Sequence, residues 1–278
     1  VEAFEYQDGS EGKIDIGQSF ETTYEMFQGK DPRFLASIYV PGSSLLGSTM
    51  QFQRGLILKD GSKYYAQSAP GPSYLLETYI DPETQRKDTI FGKDGGTYTG
   101  DASKTGFNIR KFVNENLKTE AQWDFGKTET SFPIFRLAEV YLNLAEAAVE
   151  MGKYQTEAFE AIKKIRDRAG VVTPFAVVDV EKVRHERQVE LAFEGHRFWD
   201  MKRWRVAHLP VDQGGLNGFR GAGLHPFFDL RIRKYVFEVA NDLPKRQRVF
   251  TEKNYYTKFS GNDMNSNPSL IQNPEFLN

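Results

Sequence analysis

Between residues 134 and 204, apolar residues recur at steps of three and four, and no other part of the chain is as regular. Leu137, Val140, Tyr141, Leu144, Ala145, Ala148 and Met151 form one stripe, which predicts a helix. Pro133 suits its first turn, because a missing N–H costs nothing there. Gly152 stands where a left-handed C-cap is expected. A second helix is predicted from about residue 157, with Thr156 as its N-cap and Ala158, Ile162, Ile165 and Ala169 on one face, ending at Gly170. The short linker makes the pair antiparallel. A third helix follows Pro174, with Asp179 as N-cap. It has two apolar stripes, Val189, Ala192, Phe193 and Trp199 on one side and Leu191, Phe198 and Met201 on the other, so burial on two sides is expected. Its charges alternate in sign at spacings where opposite charges pair. Gly195 costs about 1 kcal/mol in a helix interior, so a break is expected there.

Elsewhere the pattern is shorter-ranged. Phe20, Tyr24 and Phe27 mark a short helix closed by Gly29, and Asp31-Pro32 breaks it. Residues 34–40 and 50–58 read as strands, and Asp60-Gly61 turns the chain into a strand at 63–66. Residues 106–113 and 235–239 read as further strands. Residues 1–17, 214–223 and the tail 251–278 read as irregular. Residues 67–105 are the least regular stretch, and a loop of that length inside a compact domain is functional or disordered.

Tyr141, Leu144, Ala145, Gly152 and Tyr154 occupy the large, apolar, small, Gly and aromatic positions of a tetratricopeptide repeat, although the second-helix Ala falls one residue late, at Ala158. A single repeat cannot bury its own face, so this one is expected to pack on the third helix or on a further part of the protein.

At this point a resemblance becomes specific. FRLAEVYLNLAEA, IRDRAG and ERQVELAFEGHRFWDMKRW, in this order and spacing, resemble the C-terminal region of the SusD/RagB family of outer-membrane nutrient-binding lipoproteins. The match extends to ETTYEMFQGKDPRFLASIYVPG (residues 21–42), GFNIRKFV (106–113) and NSNPSLIQNPEF (265–276). The family's LPIP before the terminus is absent, and Glu275 stands where the family has Gly. The resemblance implies a mainly α fold with short β-strands and long loops, a SusD-like helical scaffold with a tetratricopeptide-type helix hairpin. Residues 1–278 would be its C-terminal region, a single domain without the N-terminal half, with a helix-rich core at 133–206. It further implies non-catalytic binding of a nutrient glycan at the outer-membrane surface, a lipid anchor in an N-terminal segment absent from this chain, and delivery to a SusC-like TonB-dependent transporter.

Composition narrows the alternatives. A net charge of −2 offers no basic face for nucleic acid, and the absence of Cys removes thiol chemistry and Cys-based zinc sites. Aromatics are 14% of the chain, enough for a stacking surface as well as a core. Sugars present C–H faces that stack on rings, and pockets combine apolar walls with a few oriented polar groups. The candidate ligand contacts are therefore Tyr64, Tyr65, Tyr74, Tyr79 and Tyr98 of the long loop, with Trp123 downstream. Glu190 and Glu194, one turn apart, have the spacing of a retaining glycosidase pair, but Arg187 and Arg197 flank them and favour ionised, structural carboxylates. His185-Glu186 begins like a zinc motif, yet Val189 stands where the second His is required. No catalytic residue, metal or cofactor is expected. The alternatives to glycan capture are a protein-interaction scaffold without a small ligand, a peptide-binding uptake component, and, far behind, a glycoside hydrolase.

Overall fold

The computed structural model describes residues 1–65, 78–94, 103–116, 130–240 and 247–276. The chain divides into two units, Val1–Glu194 with Ala222–Leu243, and Gly195–Gly221 with Pro244–Asn278.

The first unit opens with β1 (Ser19–Phe20), α1 (Pro32–Ser37) and β2 (Ile38–Tyr39). The small strands β3 (Ser44–Leu45) and β4 (Ser48–Thr49) precede β5 (Gly55–Ile57), β6 (Lys63–Tyr65), β7 (Thr78–Ile80), β8 (Lys87–Thr89) and β9 (Asn108–Ile109). Three long helices follow one another: α2 (Leu137–Glu150), α3 (Gln155–Ala169) and α4 (Val180–Glu190). The second unit begins with α5 (His196–Arg203), and the first then regains the chain for β10 (Gly223–Asp229) and β11 (Lys234–Ala240). The second unit ends with α6 (Gly261–Ser266).

Several local signals act as expected. Asp179 caps α4, its carboxylate accepting from the Lys182 N–H at 2.9 Å. Gly170 ends α3 in left-handed backbone, φ 74°. The third helical run is two helices: α4 stops at Glu190, and Gly195, at φ 82°, stands at the head of α5. That angle strains any residue with a Cβ.

Other elements differ from the sequence pattern. Residues 34–37 are helical, not extended. Asp31 is the N-cap of α1, its side chain accepting from the Arg33 N–H at 2.8 Å, and Pro32 occupies the first turn. The Asp-Pro pair therefore starts a helix where it reads as stopping one. Around Glu25–Phe27 the chain makes only a 3-10 turn. The first long helix begins at Leu137 rather than Pro133, and the second is entered through Tyr154 at φ 59° rather than capped by Thr156. The strand expected at 106–113 shrinks to β9. The stretch expected as one irregular loop contains the β7–β8 hairpin.

A five-stranded sheet in the order β1-β11-β10-β5-β6 forms one layer, with β10 and β5 parallel and the other pairs antiparallel. β10 is hidden in the sequence by Pro226, a residue that argues against a central strand. Its parallel pairing with β5 begins one residue later, at Phe227↔Gly55.

Two cores meet on α4. Val183 and Leu191 lie in a core with Leu142, Ala145 and Ala148 of α2 and Ala158, Ala161, Ile162 and Ile165 of α3. Val189 lies in another, built on Phe27, Phe34, Ile38, Val40 and Phe237. Phe27 meets Phe237 and Phe107 edge to face, with centroids 5.8 Å apart in each pair. The expected two-sided burial of this helix is therefore present. Residues 1–17 are irregular, yet Phe4 and Ile14 enter the second core. The Lys30 ammonium holds this segment by donating to the carbonyls of Phe4 and Gly12.

α2 buries only part of the stripe the pattern suggests: Ala145 and Ala148 are in the core and Tyr141 packs on it, and Leu142, outside the stripe, joins them. Leu142 is fully buried, whereas Leu137, Val140, Leu144 and Met151 are exposed, Leu137 by 64% and Leu144 by 48%. Among the described residues no helix is long and apolar enough to cross a membrane. This asymmetry generates a test by urea unfolding. Leu142→Ala is expected to cost about 2–5 kcal/mol, as buried leucine truncations do, and Leu144→Ala less than about 1 kcal/mol. Equal costs would place the buried face wrongly.

Candidate functional site

Two of the six aromatic candidates are brought together. β6 pairs with β5 so that Tyr64 stands opposite Leu56, and β7 pairs with β8 so that Tyr79 stands opposite Asp88. The two tyrosine rings meet at 5.7 Å between centroids with a 56° tilt. Tyr79 is half-buried, packed with Leu56, Ile90, Phe91 and Leu230. Tyr64 is 37% exposed. One ring is thus pinned to a small core and carries the other, which faces water. Tyr65 lies on β6, its side chain outside the described residues, and Tyr74, Tyr98 and Trp123 fall outside them altogether.

The hairpin that carries Tyr79 is fixed at both ends. At its turn the Asp81 carboxylate accepts from the N–H groups of Thr84 and Glu83, at 3.1 and 2.9 Å, and pairs with Lys59 at 3.1 Å. The backbone bond from Thr84 and the Lys59 ammonium pull the Asp81 carboxyl down to about 2. On the returning arm, Asp88 takes both prongs of the Arg233 guanidinium, at 2.8 and 2.7 Å. That guanidinium also lies 4.7 Å from the Phe228 centroid. Bidentate pairing of this kind fixes orientation as well as contact. The result is a preset ring platform, able to receive a ring or C–H face without first ordering the tyrosines.

The two carboxylates Glu190, the last residue of α4, and Glu194, in the turn beyond it, lie in a different environment. Glu190 accepts from Arg136 at 2.6 Å, from Arg168 at 2.6 Å and from Arg33 at 3.0 Å. Glu194 accepts from Lys111 at 2.5 Å and from Arg136 at 2.7 Å. Burial opposes the charge on both, yet the bonds from Arg136 and Arg33 hold Glu190, and those from Arg136 and Lys111 hold Glu194, below the usual carboxylate range. A glycosidase acid needs the opposite shift. The expectation that these are ionised structural groups is met, but through different cations. Arg187 instead reaches Asn143 at 2.8 Å, and the Arg197 guanidinium lies over the Trp204 ring. The partners come from residues 33, 111, 136 and 168, separations that no local spacing rule reaches.

His185 donates through Nε2 to the Ala3 carbonyl at 2.6 Å, and Glu186 pairs with Arg33 and Arg166. Among the described residues, no group of His, Asp or Glu is arranged to hold a metal ion. In the second unit, Phe198 and Trp199 are exposed rather than part of a buried stripe. The cations around them, at Arg197, Lys202 and Arg203, were the available signal.

A family model described as SusD family matches residues 1–276. SusD-like protein P2 of Formosa agariphila is 31% identical over 101 residues, 32% of this chain and 20% of that protein. SusD-like protein P25 of the same organism is 38% identical over 80 residues, 26% of this chain and 15% of that protein. A solved SusD-like protein from Bacteroides fragilis NCTC 9343 superposes with a TM-score of 0.62 at 25% identity, covering 98% of this chain and 45% of its own. A solved SusD-like carbohydrate-binding protein from the same organism gives 0.60 at 23% identity, covering 97% of this chain and 47% of its own. This chain thus spans less than half the length of either solved neighbour.

The paired state of Glu190 has a measurable consequence. Its carboxyl is lower when folded than when unfolded, so its stabilisation is complete above the ordinary glutamate range and is lost as pH falls through the folded value. Glu190→Gln is expected to lower stability at pH 7 by about 3 kcal/mol, since it leaves three cations short of an anion, and to flatten the acid limb of Tm against pH. An unchanged acid limb would show that the network does not set acid stability.

Proposed function

We propose, from the premise that the chain belongs to the SusD family, that it binds a nutrient glycan at the outer surface of a bacterial outer membrane without cleaving it. The observation that carries this reading is the Tyr64–Tyr79 pair, one ring anchored and the other facing water. The fixed hairpin supports it, because a platform that is already ordered spends less of its contact energy on ordering. Tyr65, Tyr74, Tyr98 and Trp123 belong to the proposal as further contacts, on the sequence reading alone. The pairing of Glu190 and Glu194 with arginines supports binding over hydrolysis.

The finer parts of the proposal follow the family. The ligand passes to a SusC-like TonB-dependent transporter, and the protein is held at the membrane by a lipid anchor. The exposed apolar stripe on α2 supports a second role for the helix pair: α2 and α3 form one tetratricopeptide-type repeat whose free face stacks on further helices. One fold neighbour is described as carbohydrate binding. For this chain the ligand class is a proposal in its own right.

Titration calorimetry against a panel of soluble oligosaccharides and polysaccharides tests the binding reading. Saturable heat is expected with one glycan class. Tyr64→Ala should weaken it about tenfold, or about 1.4 kcal/mol, with Tm unchanged, and Tyr64→Phe should retain it. Binding that is indifferent to Tyr64, or heat only with peptides, would overturn the assignment.

A further inference from the structure

Charge is divided unevenly between the two units. The second, Gly195–Gly221 with Pro244–Asn278, holds ten Lys and Arg against five Asp and Glu, a net of +5 in a chain whose sum is −2. The first unit therefore carries −7. The basic unit also displays rings. On α5, Phe198 and Trp199 are 45% and 65% exposed and meet edge to face at 5.4 Å. Lys202, one turn further on, sets its ammonium 5.5 Å from the Phe198 centroid and 5.4 Å from that of Trp199.

These rings continue into the unit. Phe198 meets Phe250 at 6.2 Å, and Phe250 meets Tyr255 at 5.1 Å. The Arg205 guanidinium lies 4.7 Å from the Tyr255 centroid and 5.2 Å from that of Tyr256, and it donates to the Tyr256 hydroxyl at 3.1 Å. Phe250 is buried, and Tyr256 is exposed again. A ladder of rings thus runs from exposed Trp199 to Tyr255, the Arg205 guanidinium bridges it to exposed Tyr256, and each end carries a cation.

Large aromatic side chains left in water forgo the burial that favours them elsewhere, and aromatic and Arg side chains are the groups enriched where surfaces are later covered. The cations narrow the choice of occupant. A ring face takes the C–H face of any sugar, whereas an ammonium or guanidinium beside it adds a charge-assisted bond only when an anionic group lies at the sugar's edge. A flexible acidic polymer without ring faces would answer the charge but not the rings.

We propose that the Trp199–Phe198–Tyr255–Tyr256 ladder, with Lys202 and Arg205, is a second saccharide subsite that selects glycans bearing carboxylate or sulfate groups. The proposal rests on the saccharide-binding reading above for its ligand class, and uses residues outside the Tyr64–Tyr79 platform. The anion's sign follows from the unit's charge, and the sugar from the exposed ring faces.

Affinity electrophoresis of the full chain tests it, in gels containing polygalacturonate, dextran sulfate, neutral dextran or poly-L-glutamate at one ionic strength. Retardation by at least one acidic polysaccharide is expected, with an apparent Kd at least tenfold below those for dextran and poly-L-glutamate. The response to polygalacturonate against dextran sulfate separates carboxylate from sulfate recognition. Trp199→Ala and Lys202→Gln should each weaken that retardation at least fivefold. Trp199→Phe should restore most of it, and Leu144→Ser, in the other unit, should leave it unchanged. Circular dichroism and Tm verify that the variants are folded. Equal retardation by poly-L-glutamate would reduce the effect to attraction between charges, acidic proteins included, and overturn the proposal. So would retardation that survives Trp199→Ala, or no retardation by either acidic polysaccharide. Loss on Tyr64→Ala with Trp199→Ala unaffected would place acidic glycans on the first platform, sparing the proposed function and sinking the second subsite.

Discussion

Three carboxylates, Glu186 and Glu190 on α4 and Glu194 in the turn that follows it, constrain the first unit. Glu186 takes Arg33 at 2.5 Å and Arg166 at 2.9 Å, Glu190 takes Arg33, Arg136 and Arg168, and Glu194 takes Arg136 and Lys111. Arg33 is on α1 and also grips Asp31 at 2.7 Å, while Arg166 reaches back to Glu5 at 2.5 Å. The chain's first residues, α1, α3 and the entry to α2 are thus tied to one face of α4, which is also where the two apolar cores meet. Desolvating so many ions costs several kcal/mol each, and only complete pairing offsets it. Such a network contributes less to net stability than to register. A helix turned by one residue would leave charges buried without partners, a far larger penalty than a misplaced leucine. It follows that these carboxylates hold α4 in place as paired anions.

Legibility in the sequence divides along the range of the interactions. Asp179, Gly170 and Gly195 act on backbone within a few residues, so their effects could be read from spacing. α2 was harder because apolar residues surround most of it. Counting steps of three and four selects Ala145 and Ala148, which are buried, together with Leu137, Leu144 and Met151, which are not, and only packing against α3 and α4 adds Leu142. Asp31-Pro32 carries equal local meaning as a stop and as a start, and the Arg33 ties decide for the start. β10 has Pro226 in its middle and is held by its hairpin partner β11 and by β5, which lies far back in the chain. The family resemblance was legible because it rests on the order of several motifs, and it matches the whole-chain family finding.

The candidate site was legible as a composition and not as a geometry. A tyrosine-rich stretch with turn residues suggests ring contacts, but it does not say that Tyr64 and Tyr79 meet while Tyr79 is half sunk in a core. That outcome depends on the β5–β6 register and on Lys59 and Arg233 fixing the hairpin. Phe198 and Trp199 show the converse. Helical periodicity assigns them to buried stripes, yet three and four residues past the Gly195 break they are exposed. In both places the fold sets aromatic rings beside charged groups.

The measurement that tests this account most directly is saturation-transfer NMR of the chain with a soluble oligosaccharide that it binds, followed in the same tube over several days. Irradiating the protein's aromatic protons should transfer saturation to the sugar's C–H protons, less so in Tyr64→Ala, while the anomeric signals of the intact oligosaccharide persist without new reducing ends. New reducing-end signals would make the protein a hydrolase. Binding without transfer from aromatic protons would remove the rings from the site, and either result would contradict the account.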